Sequence, residues 1–243
     1  MSHADPSPDF NRRADLYDEH ARVQRDAAAW LAEWLPPRIE GHALELGAGT
    51  GIFTKHLAAA ADMLVATDIA PRMVMAGANA LPSVQWTVSD AGTPPRDARY
   101  RWIFSCSLAQ WLSDPADTFR RWRGAAAPGA RLIAGWFVQG TMEEFYVSCP
   151  EAAPFRWRAV QEWLQLLGEA GWSVNRHEAR SFRLRHANAA AMLRDMHNLG
   201  AVVPRRFSPG RLRRALREHD RRHAGAGGID TPFVFLRVEA VRP

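Results

Sequence analysis

The chain has 243 residues, 47% hydrophobic and 23% charged, a composition suited to a globular protein with one large α/β domain. No uncharged apolar run approaches the roughly 20 residues that cross a bilayer, and the segment Met1-Ser2-His3-Ala4-Asp5-Pro6 lacks the basic-then-apolar order of a secretory signal; no membrane span and a cytoplasmic location are expected. The formal charge of +5 comes from arginine, with Lys55 the sole lysine, and points to an acidic partner, either nucleic acid or an acidic carrier protein.

In chain order, residues 15–35 predict a helix, because Val23, Trp30, Leu31 and Trp34 recur near helical spacing and Pro36-Pro37 stops the run. Strands are then predicted at 42–46, 63–67, 84–89, 102–105 and 131–136, and helices at 50–60, 71–80 and 115–126. This alternation predicts an α/β fold with a doubly wound, mostly parallel sheet. After Gly140 the rhythm changes to a helix at 158–170, a strand at 172–184, helices at 187–199 and 211–219, and a final strand at 233–241, which brings the sheet to seven strands. Residues 141–230 are expected to form a partly helical cap over the carboxyl edge of the sheet, and residues 1–37 a helical lid, within a single domain 1–243. Arg211, Arg213, Arg214, Arg217, Arg221 and Arg222 share one face of a helix, which is either plainly solvated or a docking face. Cys106 and Cys149 offer neither a disulfide framework nor metal-ligand spacing.

Residues 44–51 read Leu-Glu-Leu-Gly-Ala-Gly-Thr-Gly at the junction of the first strand and helix. Gly47, Gly49 and Gly51 let the backbone turn sharply and approach a ligand with no Cβ in the way. Their alternate spacing behind Glu45 departs from the G-x-G-x-x-G of dinucleotide enzymes. Asp68 follows Gly51 by 17 positions and ends the second strand, where it either accepts from ribose hydroxyls or caps the next helix. Asp90 ends the third strand, placed to meet an adenine amino group or to close a turn; Ala91 offers its N–H to a ring nitrogen. Ile69 and Met73 pack against a nucleoside or belong to the core.

With these features the chain resembles the class I S-adenosylmethionine-dependent methyltransferases and, among them, the malonyl-acyl-carrier-protein O-methyltransferases of biotin synthesis. The likeness is carried by Phe10, Tyr17 and Gln24 within residues 10–24, by Ser107-Leu108-Ala109-Gln110-Trp111-Leu112, by residues 137–141 and by residues 192–201. It implies S-adenosylmethionine as cofactor, enclosed by Tyr17 and Gln24 on one side and by Glu45, Gly47, Ala48, Gly49, Gly51, Ser107 and Leu108 on the other. It further implies that Gln110 and Trp111 border an acyl pocket, although Trp111 also suits core packing. The partner implied is a malonyl group on acyl carrier protein, with no nucleic acid or membrane. Tyr17, His20, Arg194 and His197 are the candidates to orient its carboxylate. His197 stands where the family pattern has a lysine, which shifts the expectation toward Arg194. A carboxylate acceptor has no proton to lose, so no general base is expected.

Overall fold

The computed structural model describes residues 7–95, 99–200 and 208–243; Ala201, Arg205 and Arg206 lie outside them. The chain opens with α1 (Ser7–His20) and α2 (Arg22–Ala32). The single helix expected over 15–35 is therefore two, parted at Ala21, whose φ of −78° and ψ of 40° leave the helical region. The reason lies in packing: α2 buries Val23, Ala27, Ala28 and Leu31 in the core, whereas α1 runs across the carboxyl edge, and one straight helix cannot follow both directions.

Next comes β1 (Ile39–Leu46), whose last four residues are all buried, as in a parallel strand covered on both faces. The helix expected from Thr50 is shortened to α3 (Thr54–Ala58), because the glycine turn takes up the preceding residues. There follow β2 (Ala61–Asp68), α4 (Pro71–Ala80) with proline in its first turn, and β3 (Gln85–Val88). The chain then forms β4 (Tyr100–Cys106) and α5 (Pro115–Ala125), where Asp114 caps the helix by accepting from the Asp117 N–H at 2.9 Å. The remaining elements are β5 (Ala126–Phe137), α6 (Glu143–Ser148), α7 (Val160–Glu169), β6 (Ser173–His186), α8 (Ala189–Asn198), α9 (Pro209–His223) and β7 (Ile229–Val241).

All seven strands form one sheet in the order β3-β2-β1-β4-β5-β7-β6, parallel from β3 to β5, with β7 antiparallel between β5 and β6. The doubly wound, mostly parallel expectation holds. Within residues 141–230, β6 pairs along its length with β7, which satisfies its backbone groups within the sheet, with α6 and α7 before it and α8 and α9 after it. Trp122, Trp136, Trp163 and Phe119 pack on the face covered by α5 and α7, while Leu31, Ile39, Leu57 and Phe104 fill the opposite face. Among the described residues no helix is long and apolar enough to cross a membrane.

The strand order positions the site. The chain adds β2 and β3 on one side of β1, then returns to lay β4 on the other. The segments leaving β1 and β4 therefore diverge at the carboxyl edge and open a crevice between them.

Candidate active site

That crevice is a cleft open to solvent, lined from the turns after β1, β2 and β4 and from α1. The turn after β1 supplies Gly47, Ala48, Gly49 and Thr50. Gly47 has φ of +71°, and a Cβ there would come within 2.8 Å of the Leu108 side chain, so this position requires glycine on both counts. At Gly49 an added Cβ meets nothing within 4 Å, which leaves its backbone open for a ligand. Gly51, with φ of +97°, does not line the cleft; its open side faces Leu81 and Trp86, and its N–H closes the turn on the Ala48 carbonyl at 3.0 Å.

Asp68 crosslinks the neighbouring turns. Its Oδ2 accepts from the Gly49 N–H and its Oδ1 from the Ala70 N–H, both at 2.9 Å, while its carboxylate also lines the cleft. Burial raises its pKa, against the lowering effect of these backbone donors. Ile69 and Met73 continue the wall. From β4 come Cys106, Ser107 and Leu108; Ser107 sits at φ of 60° and donates its N–H to the Gly135 carbonyl at 2.8 Å. Burial pushes the Cys106 thiol up to about 12, so it stays protonated.

The lid closes the opposite side with Phe10, Tyr17 and Gln24. Two bonds fasten α1 over the turns: Thr50 Oγ1 donates to Asp18 Oδ1 at 2.6 Å, and the Arg72 N–H donates to Asn11 Oδ1 at 2.9 Å. Burial, with the nearby Cys106, Asp68 and Asp18, holds the Tyr17 phenol far above its ordinary pKa, so it remains a neutral O–H. Trp111 lies edge-on between Phe10 and Phe155, with ring centroids 5.2 and 4.9 Å away, and forms an aromatic wall beside the lid.

Glu45 and Asp68 are the carboxyl side chains that line the cleft. Glu45 is 1% exposed, and burial pushes its carboxyl up to about 8, with Asp68 adding to the shift. Its Oε2 and the Oε1 of Gln24 are buried with no hydrogen-bond partner. Two unmet acceptors beside an acidic wall are what a cationic, hydrogen-bond-donating ligand satisfies.

Other expected site residues stand elsewhere. Asp90 is exposed and closes a turn by accepting from the Gly92 N–H at 2.8 Å. Ala91 is buried, and its carbonyl accepts from Trp122 Nε1 at 2.8 Å. Gln110 lies behind the cleft and donates from Nε2 to the Ser107 carbonyl at 2.7 Å, which supports the backbone there. His20 faces Asp195, and Arg194 and His197 are exposed on α8; none of the three lines the cleft. Conversely, Phe10, Thr50, Ile52, Phe53 and Cys106 line it without having been expected to. The place of Cys106 at the carboxyl end of a strand was the available signal. Ile52 and Phe53 carry none, since apolar residues opening a helix look like core.

Residues 44–134, from β1 into β5, match the family model described as a methyltransferase domain. The fold around them is likewise shared: YcgJ protein from Bacillus subtilis superposes with a TM-score of 0.69 at 12% identity, over 89% of this chain and 98% of that one. The fold is that of the class I methyltransferases. Such a domain uses S-adenosylmethionine as its cofactor. The chain is also 31% identical to the biotin biosynthesis bifunctional protein BioCD of Bordetella avium, over 88% of this chain and 48% of that protein. It is 29% identical to the malonyl-[acyl-carrier protein] O-methyltransferase of Halorhodospira halophila, over 86% of this chain and 74% of that one. The chain thus spans about half the length of the Bordetella relative. The cleft fits the cofactor's chemistry, because the unmet oxygens of Glu45 and Gln24 suit an ammonium group and the acidic lining suits a sulfonium.

Proposed function

We propose that the protein transfers the methyl group of S-adenosylmethionine to the free carboxylate of a malonyl thioester on acyl carrier protein, forming the methyl ester that primes biotin synthesis. The observation that carries methyl transfer is the cleft at the carboxyl edge, with acidic walls and two unmet acceptors. The choice of acceptor is supported by relatives named for that activity.

When bound, S-adenosylmethionine supplies a methyl group already activated by its sulfonium. Glu45 and Gln24 would hold its ammonium, and Asp68, with lone pairs left beyond its two backbone bonds, would accept from its ribose hydroxyls. Asp90 and Ala91, in the turn after β3 and outside the cleft lining, are assigned to the adenine by that position, Asp90 through its exposed carboxylate. The residues around the cleft would have to hold an acceptor carboxylate in line with that methyl group. No proton leaves, so a neutral Tyr17 serves as a hydrogen-bond donor that orients the carboxylate. Phe10, Trp111 and Phe155 exclude water beside it. Of the other donors expected, His20 is engaged by Asp195 and Arg194 and His197 are exposed, so Tyr17 takes this role.

A second reading, an acceptor free of any carrier such as a small carboxylic acid or a quinone precursor, is favoured by one feature. Among the described residues no arginine, lysine or histidine lines the cleft to meet a carboxylate. Incubation with methyl-labelled S-adenosylmethionine and each acceptor, followed by mass analysis, separates the two. Label on malonyl-carrier protein and not on free acids is the expected result. Label on the free acceptors alone favours the second reading, and a protein that does not bind the cofactor is no methyltransferase.

A further inference from the structure

Tyr17 and His20 lie about one turn apart on α1, and the two look different ways: Tyr17 lines the cleft, while His20 meets a line of side chains that leads out of it. His20 Nδ1 is 3.5 Å from Asp195 Oδ1 on α8, and its Nε2 is 3.1 Å from Asn198 Nδ2. The other oxygen of Asp195, Oδ2, is 3.3 Å from Nε2 of His186 at the end of β6. His186 is 4% exposed, and its Nδ1 is 2.9 Å from Thr231 Oγ1 on β7.

The network assigns the protons. The Asn198 amide is a donor, so His20 accepts at Nε2 and carries its proton on Nδ1, toward Asp195. The Asp195 carboxylate, 3.3 Å from Nε2, favours the His186 proton on that nitrogen, which leaves Nδ1 to accept from the Thr231 hydroxyl. Burial lowers the His186 pKa, so the ring meets the Asp195 carboxylate as a neutral dipole and not as an ion pair. Asp195 thus gathers a histidine from the lid and a histidine from the sheet. Two other polar ties of α1 run from Asp18 to Thr50 in the glycine turn and from Asn11 to the Arg72 N–H in the first turn of α4. The tie through Asp195 ends on the two outer antiparallel strands and does not pass through the cleft.

We propose that Asp195 is a positioning residue for the cofactor cleft: through His20 it fixes α1 so that Tyr17 stands over the site, with His186 and Thr231 holding Asp195 to the sheet. The proposal rests on reading the cleft as the cofactor site. Its mechanism is population, since a lid closed only part of the time weakens apparent affinity by that fraction.

The test is Asp195→Asn in the full chain, which keeps the side chain's size and removes its charge. Amide hydrogen exchange in α1 is expected to rise while that in α2 and the central strands is unchanged. The dissociation constant for S-adenosylhomocysteine, measured by calorimetry, is expected to rise about tenfold, as for a lid closed a tenth as often. A purely structural role predicts additivity with Tyr17→Ala; the positioning role predicts that Asp195→Asn changes affinity less than twofold once Tyr17 is gone. His20→Ala, which leaves Asp195 and the sheet intact, should reproduce the exchange change if Asp195→Asn folds poorly. Unchanged exchange in α1 in both variants, or additive effects on affinity, overturns the proposal. A wild-type protein that fails to bind S-adenosylhomocysteine instead removes the cofactor reading, and α1 exchange, which needs no ligand, still decides the role of Asp195.

Discussion

Glu45, next to last in β1, has a carboxyl group that burial pushes from 4.5 up to about 8, so at neutral pH the cofactor-free protein carries the proton. Two consequences follow from the sign of this shift. In the free protein, the stability linked to this group is fully present below about 4.5, the pKa of an unfolded glutamate, and is lost as pH rises through about 8. A cationic ligand favours the carboxylate, so cofactor binding should release a proton at pH 7 and tighten as pH climbs from 6 to 8. Calorimetry in two buffers of different ionisation enthalpy measures that release directly, and Glu45→Gln should abolish it. A binding enthalpy independent of buffer would show that Glu45 is not the group that meets the charge.

At the scale of elements, the turn between β1 and α3 and the segment after β4 define the cleft by touching each other. Gly47→Ala places a Cβ at φ of +71° and 2.8 Å from Leu108, so both backbone and neighbour must shift. We expect a stability loss of about 1–3 kcal/mol together with cofactor affinity lowered by at least about tenfold, read from the melting temperature and a titration. This turn was legible in the sequence, since three alternate glycines between an apolar strand and a helix have few other uses. The alternation of strands and helices gave away the sheet for the same kind of reason, burial on both faces leaving apolar runs separated by turns. The break at Ala21 was not legible: alanine is a helix former, and only the diverging directions of α1 and α2 force it. Nor does helical spacing say which way a side chain looks. Arg194 and His197 suit a carboxylate by residue type, yet α8 turns Met192 and Met196 inward and leaves both exposed.

Over the whole molecule, the positive charge is unevenly worked. On α9, Arg221 and Arg222 close on Glu218 at 2.7 and 2.6 Å, whereas Arg213, Arg214 and Arg217 are exposed one to two turns earlier. If an acidic carrier docks there, reversing Arg213, Arg214 and Arg217 to glutamate should raise KM for malonyl-carrier protein several-fold at low salt and leave S-adenosylhomocysteine affinity unchanged. The wild-type KM should rise with ionic strength, as attraction between exposed charges is screened within about 8–10 Å. A KM flat across the salt series would exclude docking by charge. The break at Ala21 also has a meaning at this scale. Tyr17 and Gln24, both cleft residues, sit on opposite sides of that joint; α2 is packed into the main core, whereas α1 rests Phe10, Ala14 and Tyr17 on Ala70 and Met73. Ligand entry and exit can proceed by swinging one helix about one residue, so the molecule divides its labour: traffic through the site is charged to α1, and the free energy of folding to everything after it.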